Sequence, residues 1–232
     1  DDNKLIVQPG GPNAAVAALD PATGATVWAG GGSDKNGYAT PVVATLNGKK
    51  QYVIFTAERL MGVDPANGRM IWSFPWKTGC DVNAATPIVM GNTILITTNY
   101  GHGTALVEVN GAAARQVWKN GIMSRFTTPL YLDGYCYVTT EANKLTCFDP
   151  KTGETKWAQS GFGWGGLCAV DGVIIACDGN SGDVVMFDAD PSAYRELGRV
   201  KPLGGQSWTA PIVADGTLIV RNKKAIVALA LK

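Results

Sequence analysis

The chain has 232 residues, 20 basic against 19 acidic, with 46% apolar and 17% charged residues. That balance excludes an intrinsically disordered segment and lacks the basic excess that marks nucleic-acid binding. No apolar run approaches the roughly 18 residues of a membrane-spanning helix, and the opening DDNKLIVQ carries no secretory-signal pattern.

The 29 glycines and 12 prolines predict many turns between short apolar runs. Residues 4–31 read as three strands that end in ALDPATGATVW (Ala18 to Trp28). Residues 38–78, 83–121, 125–161 and 164–204 each read as four strands, and 207–232 as three more. In the third of these four-strand units, PLYL is followed by an Asp133-Gly134 turn and YCYVTT. KLTCF, the DPKTG turn and ETKWAQ complete it. Asp-Gly between apolar runs is a strong hairpin signal and recurs at Asp171-Gly172 and Asp215-Gly216. No segment keeps a 3.6-residue period, so helix is expected to be nearly absent.

Two words repeat along the chain. Trp28, Trp72, Trp118 and Trp157 are 44, 46 and 39 residues apart. YATPVV (from Tyr38), AATPIV (from Ala84), FTTPLY (from Phe126) and WTAPIV (from Trp208) keep similar time, with GGLCAV (from Gly165) as a member without the proline. A period of about 40–45 residues is that of four-stranded propeller blades. The predicted fold is therefore all-β, a single β-propeller domain over 1–232 with about five or six antiparallel blades.

The turn before each tryptophan has a physical reading. Asp20, Asp64 and Asp149 can accept hydrogen bonds from backbone two residues on, and Gly24, Gly68 and Gly153 supply the positive φ. Trp28, Trp72, Trp118 and Trp157 on outer strands are large enough to fill the wedge between neighbouring sheets. A neighbouring blade's backbone can receive the indole N–H.

ALDPATGATVW, GVDPANGRMIW (Gly62 to Trp72) and CFDPKTGETKW (Cys147 to Trp157) resemble the tryptophan-docking motif of the PQQ-like β-propellers. That group includes quinoprotein alcohol dehydrogenases and BamB-type lipoproteins of outer-membrane barrel assembly. Two further copies depart from the motif. VEVNGAAARQVW keeps Trp118 and loses the Asp, whereas MFDADPSAYRELG keeps Asp188 and loses the Trp. The resemblance implies rings of about seven or eight blades, so the sequence is expected to be the C-terminal part of a longer propeller. A small ring of about six blades, or dimerisation through exposed blade edges, are the other solutions. The resemblance also implies an extracytoplasmic, periplasmic location.

For a quinoprotein dehydrogenase, the resemblance implies a quinone stacked on a tryptophan, a Ca²⁺ held by carboxylate and amide oxygens, and an aspartate base. The chain has no adjacent cysteine pair and no compact acidic cluster of Ca²⁺ type. No cofactor and no metal are therefore expected, with PQQ and calcium belonging to the dehydrogenase alternative. His102 is the only histidine and lies in a predicted hairpin loop. GGG (30–32) and GFGWGG (161–166) open no helix and form no phosphate cradle. Among five cysteines, Cys136 with Cys147 and Cys168 with Cys177 are open to disulfide pairing or to burial as small hydrophobes.

What remains is a binding surface. Loops entering the innermost strands converge around a propeller's channel. They carry Tyr38, Trp76, Lys77, Asp81, Asn83, Arg125, Phe126, Trp164 and Trp208. Aromatics with arginine are what interaction hot spots favour. The expectation is a binding or assembly scaffold that meets a protein partner or small ligand at this face, with packing between loops as the structural alternative for these side chains.

Overall fold

The computed structural model describes residues 1–231, which form 22 strands in six antiparallel sheets and no helix among the described residues. Sheet I contains β1 (Leu5–Val7), β2 (Val16–Leu19) and β3 (Thr26–Gly30). Sheet II contains β4 (Val42–Leu46), β5 (Lys49–Phe55), β6 (Arg59–Val63) and β7 (Met70–Pro75). Sheet III contains β8 (Ile88–Met90), β9 (Thr93–Thr98), β10 (Gly103–Asn110) and β11 (Ala113–Asn120). Sheet IV runs through β12 (Leu130–Leu132), β13 (Tyr135–Thr140), β14 (Lys144–Phe148) and β15 (Thr155–Ser160). Sheet V runs through β16 (Leu167–Val170), β17 (Val173–Cys177), β18 (Val184–Asp188) and β19 (Glu196–Val200). Sheet VI has β20 (Ile212–Ala214), β21 (Thr217–Arg221) and β22 (Ile226–Ala230). Strands follow chain order in every sheet, as the repeat predicts. Residues 1–121 form one compact unit and 122–232 a second.

In the first unit, Val16, Tyr52, Ile54 and Met61 form an apolar layer between sheets I and II. Val53, Phe55, Trp72, Ile94 and Val107 form one between sheets II and III. In the second unit, Tyr137, Cys147, Ile174 and Phe187 fill the space between sheets IV and V. Ile175, Val184, Leu218 and Val220 fill that between V and VI. A middle strand apolar on both faces is explained by this stacking, because each of its faces meets a different layer.

The three Asp-Gly pairs adopt positive φ at both residues, as two-residue hairpins require: 49° and 87° at Asp133-Gly134, 50° and 78° at Asp171-Gly172, 47° and 68° at Asp215-Gly216. The turns before the tryptophans are held by their aspartates. Asp20 Oδ1 accepts from the Ala22 and Thr23 N–H at 3.0 and 2.8 Å. Asp64 accepts from Ala66 N–H and Asp149 from Lys151 N–H. In all three turns the glycine N–H returns to the aspartate carbonyl.

Sheets I to V share a feature absent from the sequence reading. The ladder between the last two strands slips by one residue at the same repeat position. Ala18, Gly62, Leu106 and Cys147 face Trp28, Trp72, Trp118 and Trp157, and Met186 faces Gly198. Val27, Ile71, Val117, Lys156 and Leu197 are the extra residues. Such a bulge bends the strand and re-aims the side chain beside it. It persists in sheet V, where the tryptophan is lost.

All five cysteines are free thiols. Cys136 faces Phe148 and Cys147 faces Tyr137, so the two thiols sit at successive ladder positions and point to opposite faces of sheet IV. Cys168 faces Ile175, two positions from Cys177 on the partner strand, and the Cys177 thiol donates to Ser207 Oγ at 3.3 Å instead. Burial pushes the Cys136 thiol up to about 12 and Cys147 up to about 11. Thiolate is the reactive form. Under native conditions a disulfide-exchange reagent should therefore label Cys80, the one exposed thiol, rapidly, the half-buried Cys168 more slowly, and the buried Cys136, Cys147 and Cys177 only in denaturant. A fast second equivalent mapped to Cys136, Cys147 or Cys177 would contradict this packing.

Candidate functional site

In the second unit the first strands β12, β16 and β20 lie side by side. The segments entering them bring three aromatic side chains together. Trp164 and Trp208 have ring centroids 5.1 Å apart. Phe126 is 5.6 Å from Trp208 and meets Trp164 edge-on at 6.3 Å. The Arg125 guanidinium carbon lies 3.8 Å from the Trp164 ring centroid, and its Nη2 donates to Glu141 Oε1 at 2.7 Å. Phe126 and Trp208 remain 38% and 39% exposed, so the stack forms surface rather than core. The Trp164 indole nitrogen is buried without a hydrogen-bond partner.

Why these three meet is readable from register. Counting back from the turns at Asp133, Asp171 and Asp215, Leu132, Val170 and Ala214 are equivalent, and so are Phe126, Trp164 and Trp208. GGLCAV, taken as the repeat word, puts Gly165 in this position. The hairpin shows that the repeat word begins at Trp164, and the proline is replaced by Leu167. One aromatic per sheet thus occupies one repeat position, and adjacent sheets place the three side by side. The glycines after Trp164 permit the approach. A Cβ at Gly166 would overlap the Ala210 backbone, and one at Gly165 would overlap the Cys177 carbonyl. Gly165 also presents its carbonyl to the Thr127 and Thr139 hydroxyls at 3.1 and 2.6 Å. GFGWGG is therefore a packing motif.

Two residues expected on the contact surface of the first unit are buried. Trp76 is 4% exposed and donates its indole N–H to Thr98 Oγ1 at 2.9 Å. Its ring lies 5.2 Å from His102, with Lys119 Nζ 4.7 Å from its centroid. Asn83 is fully buried. Its Nδ2 donates to the Thr56 and Trp76 carbonyls, and its own carbonyl accepts from the Tyr38 and Ala39 N–H. These two side chains tie loops to sheets, which is the packing role. Tyr38 and Lys77 are exposed. Asp81 pairs with Lys35 at 2.8 Å, and that hydrogen bond holds its carboxyl below the usual range. Burial, then the Lys119 charge, lowers the His102 basicity.

A calcium-bound quinone needs converging oxygen ligands. Among the described residues no group of three or more His, Cys, Asp or Glu is placed to hold a metal ion. Asp81 is paired with Lys35, whereas Asn83 Oδ1, the amide oxygen a calcium ion would use, is buried without a hydrogen-bond partner. No helix among the described residues is long and apolar enough to cross a membrane.

A search of curated proteins finds no match. Among solved structures, BamB from Moraxella catarrhalis matches 97% of this chain and 69% of its own, with a TM-score of 0.73 and 19% identity. The computationally designed Ika8 protein matches the whole chain and 81% of its own, with a TM-score of 0.59 and 11% identity. The quinohemoprotein alcohol dehydrogenase ADHIIG from Pseudomonas putida HK5 matches 85% of this chain and 40% of its own, with a TM-score of 0.61 and 14% identity. These likenesses agree with the all-β, propeller-type reading of the six sheets. The profile of the family described as outer membrane protein assembly factor BamB matches residues 1–159. With more than half its length in that match and its repeats continuing beyond it, the chain belongs to the BamB-like family of PQQ-type β-propeller repeats.

Proposed function

We propose that this chain is a non-catalytic propeller module that binds a protein partner through the loops of its second unit, in an extracytoplasmic compartment and without quinone or calcium. The observation that carries this reading is the exposed Phe126–Trp164–Trp208 stack with Arg125 against it. Large rigid aromatics with arginine give contact area at low entropic cost, which is how interface anchors work. The family's description as an assembly factor supports a scaffold role of the same kind.

The tryptophans of the repeated turns serve this scaffold by docking sheet to sheet. Trp28 donates its indole N–H to the Pro65 carbonyl, and Trp157 to that of Asp190. Each acceptor lies in the corresponding turn of the next sheet.

A photo-crosslinking residue at Trp208, compared with one at exposed Lys151, tests the proposal in cells. A discrete protein adduct is expected at 208 and absent at 151. Equal labelling at both would overturn it. So would a saturable absorbance change with PQQ and Ca²⁺ that depends on Asp81 or Asn83.

A further inference from the structure

Trp208 separates two clefts of different chemistry. On one side Phe126, Leu167, Ala210 and the indole line a cleft of about 250 Å³. On the other, Gln206, Thr209, Arg221, Asn222 and Lys223 line one of about 220 Å³, which is continued by Lys224. Both are below the roughly 300–1,000 Å³ of pockets that enclose a whole small molecule. They are the size to take side chains one at a time.

The second cleft is cationic and unneutralised. No Asp or Glu lines it. Arg221, Lys223 and Lys224 make no ion pair with a carboxylate among the described residues. In the same unit Arg125, Arg195, Arg199, Lys156 and Lys201 do, while Lys144 and Lys151, which lie outside this cleft, do not. The backbone of the turn that carries these cations is held by Asn222. Its Oδ1 accepts from the Lys224 and Ala225 N–H, and its Nδ2 donates to the Gly204 carbonyl at 2.8 Å. That fixes the turn against the loop carrying Trp208, with Lys223 Nζ 6.0 Å from the indole centroid.

We infer that this surface recognises an acidic peptide segment carrying a bulky apolar side chain. The apolar side chain enters the cleft beside Phe126 and Leu167, and carboxylates beyond Trp208 meet Arg221, Lys223 and Lys224. The inference rests on the proposed protein-binding role of the same loops and adds the partner's chemistry. Aromatics with cations also suit single-stranded nucleic acid. A net charge of +1, with Arg125 on the far side of the stack already paired to Glu141, favours the peptide.

The test is fluorescence titration of the full chain with a labelled peptide of phenylalanine flanked by glutamates. Lysine-flanked phenylalanine, glutamate-flanked alanine and oligothymidylate are the comparators. The glutamate–phenylalanine peptide should bind about tenfold tighter than either altered peptide, and lose that margin at high salt. Lys223→Glu with Lys224→Glu should invert the charge preference. Trp208→Ala should weaken binding by about thirtyfold. Circular dichroism establishes that each variant is folded. If both charged peptides bind alike yet depend on Trp208, the contact surface stands and this inference falls. If oligothymidylate binds tightest, or no peptide binds while crosslinking at 208 persists, the inference again falls alone. Loss of both peptide binding and crosslinking removes the two together.

Discussion

Trp72→Ala should cost about 4–6 kcal/mol of stability, measured by urea denaturation. The indole is 2% exposed and lies in the layer between sheets II and III with Phe55, Ile94 and Val107. Removing a buried aromatic typically costs about 3–5 kcal/mol. The remainder comes from Gln51. Trp72 Nε1 donates to its Oε1 at 2.7 Å, and Gln51 is itself 2% exposed. Without the indole that oxygen is buried with no donor.

The arrangement differs from that of Trp28 and Trp157, and the sequence contains the reason. In those sheets the next turn offers a carbonyl, at Pro65 and Asp190. The turn after Trp72 is NGAAA, where the Asp-Pro of the motif is gone. Gly62 faces Trp72 across the ladder, and a Cβ there would overlap the indole nitrogen. The missing side chain lets the indole lie over its own sheet and reach Gln51. Gly62→Ala should therefore be strongly destabilising alone and nearly neutral on a Trp72→Ala background, a coupling that a double-mutant cycle measures. Additive effects of the two changes would refute the arrangement. Trp72→Phe keeps much of the volume but orphans Gln51, and a companion Gln51→Leu should recover part of its loss.

The strand order was legible because Asp-Gly turns, Thr-Pro words and tryptophans are local signals repeated several times. Trp76 was not. Its register differs from the repeated tryptophans, and only the fold brings Thr98 from the next sheet against its indole. The burial of Asn83 was hidden for the same reason, since its two acceptors lie 27 and 7 residues away in sequence. The contact stack was half legible. Its four residues follow from loop position and composition, but their common register depends on starting the fourth repeat word at Trp164. The Asp171-Gly172 turn, counted backwards, carried that information in the sequence.

Asp178 links stability to the stack without touching its surface. Its carboxylate is 7% exposed and accepts from Gly163 N–H at 2.7 Å, Asn180 N–H at 3.1 Å, Ser181 N–H at 3.2 Å and Ser181 Oγ at 2.6 Å. Burial opposes its ionisation, but the Ser181 hydroxyl and the three N–H donors outweigh it and hold the carboxyl below its ordinary value of 3.8. Gly163 immediately precedes Trp164, so this carboxylate anchors one wall of the stack. Asp178→Ala should cost about 3 kcal/mol, because charged hydrogen bonds are lost and a buried Gly163 N–H is left unmet. It should also weaken binding of the glutamate–phenylalanine peptide and change Trp164 emission, whereas Ser181→Ala, which removes one donor, should do little to either. The pH dependence follows from the depressed value. The stabilisation is present above the unfolded carboxyl's value and is lost as pH falls through the folded one. Wild-type stability should therefore drop below about pH 4, and Asp178→Asn should show a flatter acid limb. An Asp178→Asn variant with wild-type stability, acid limb and tryptophan emission would show that the carboxylate does not hold this loop.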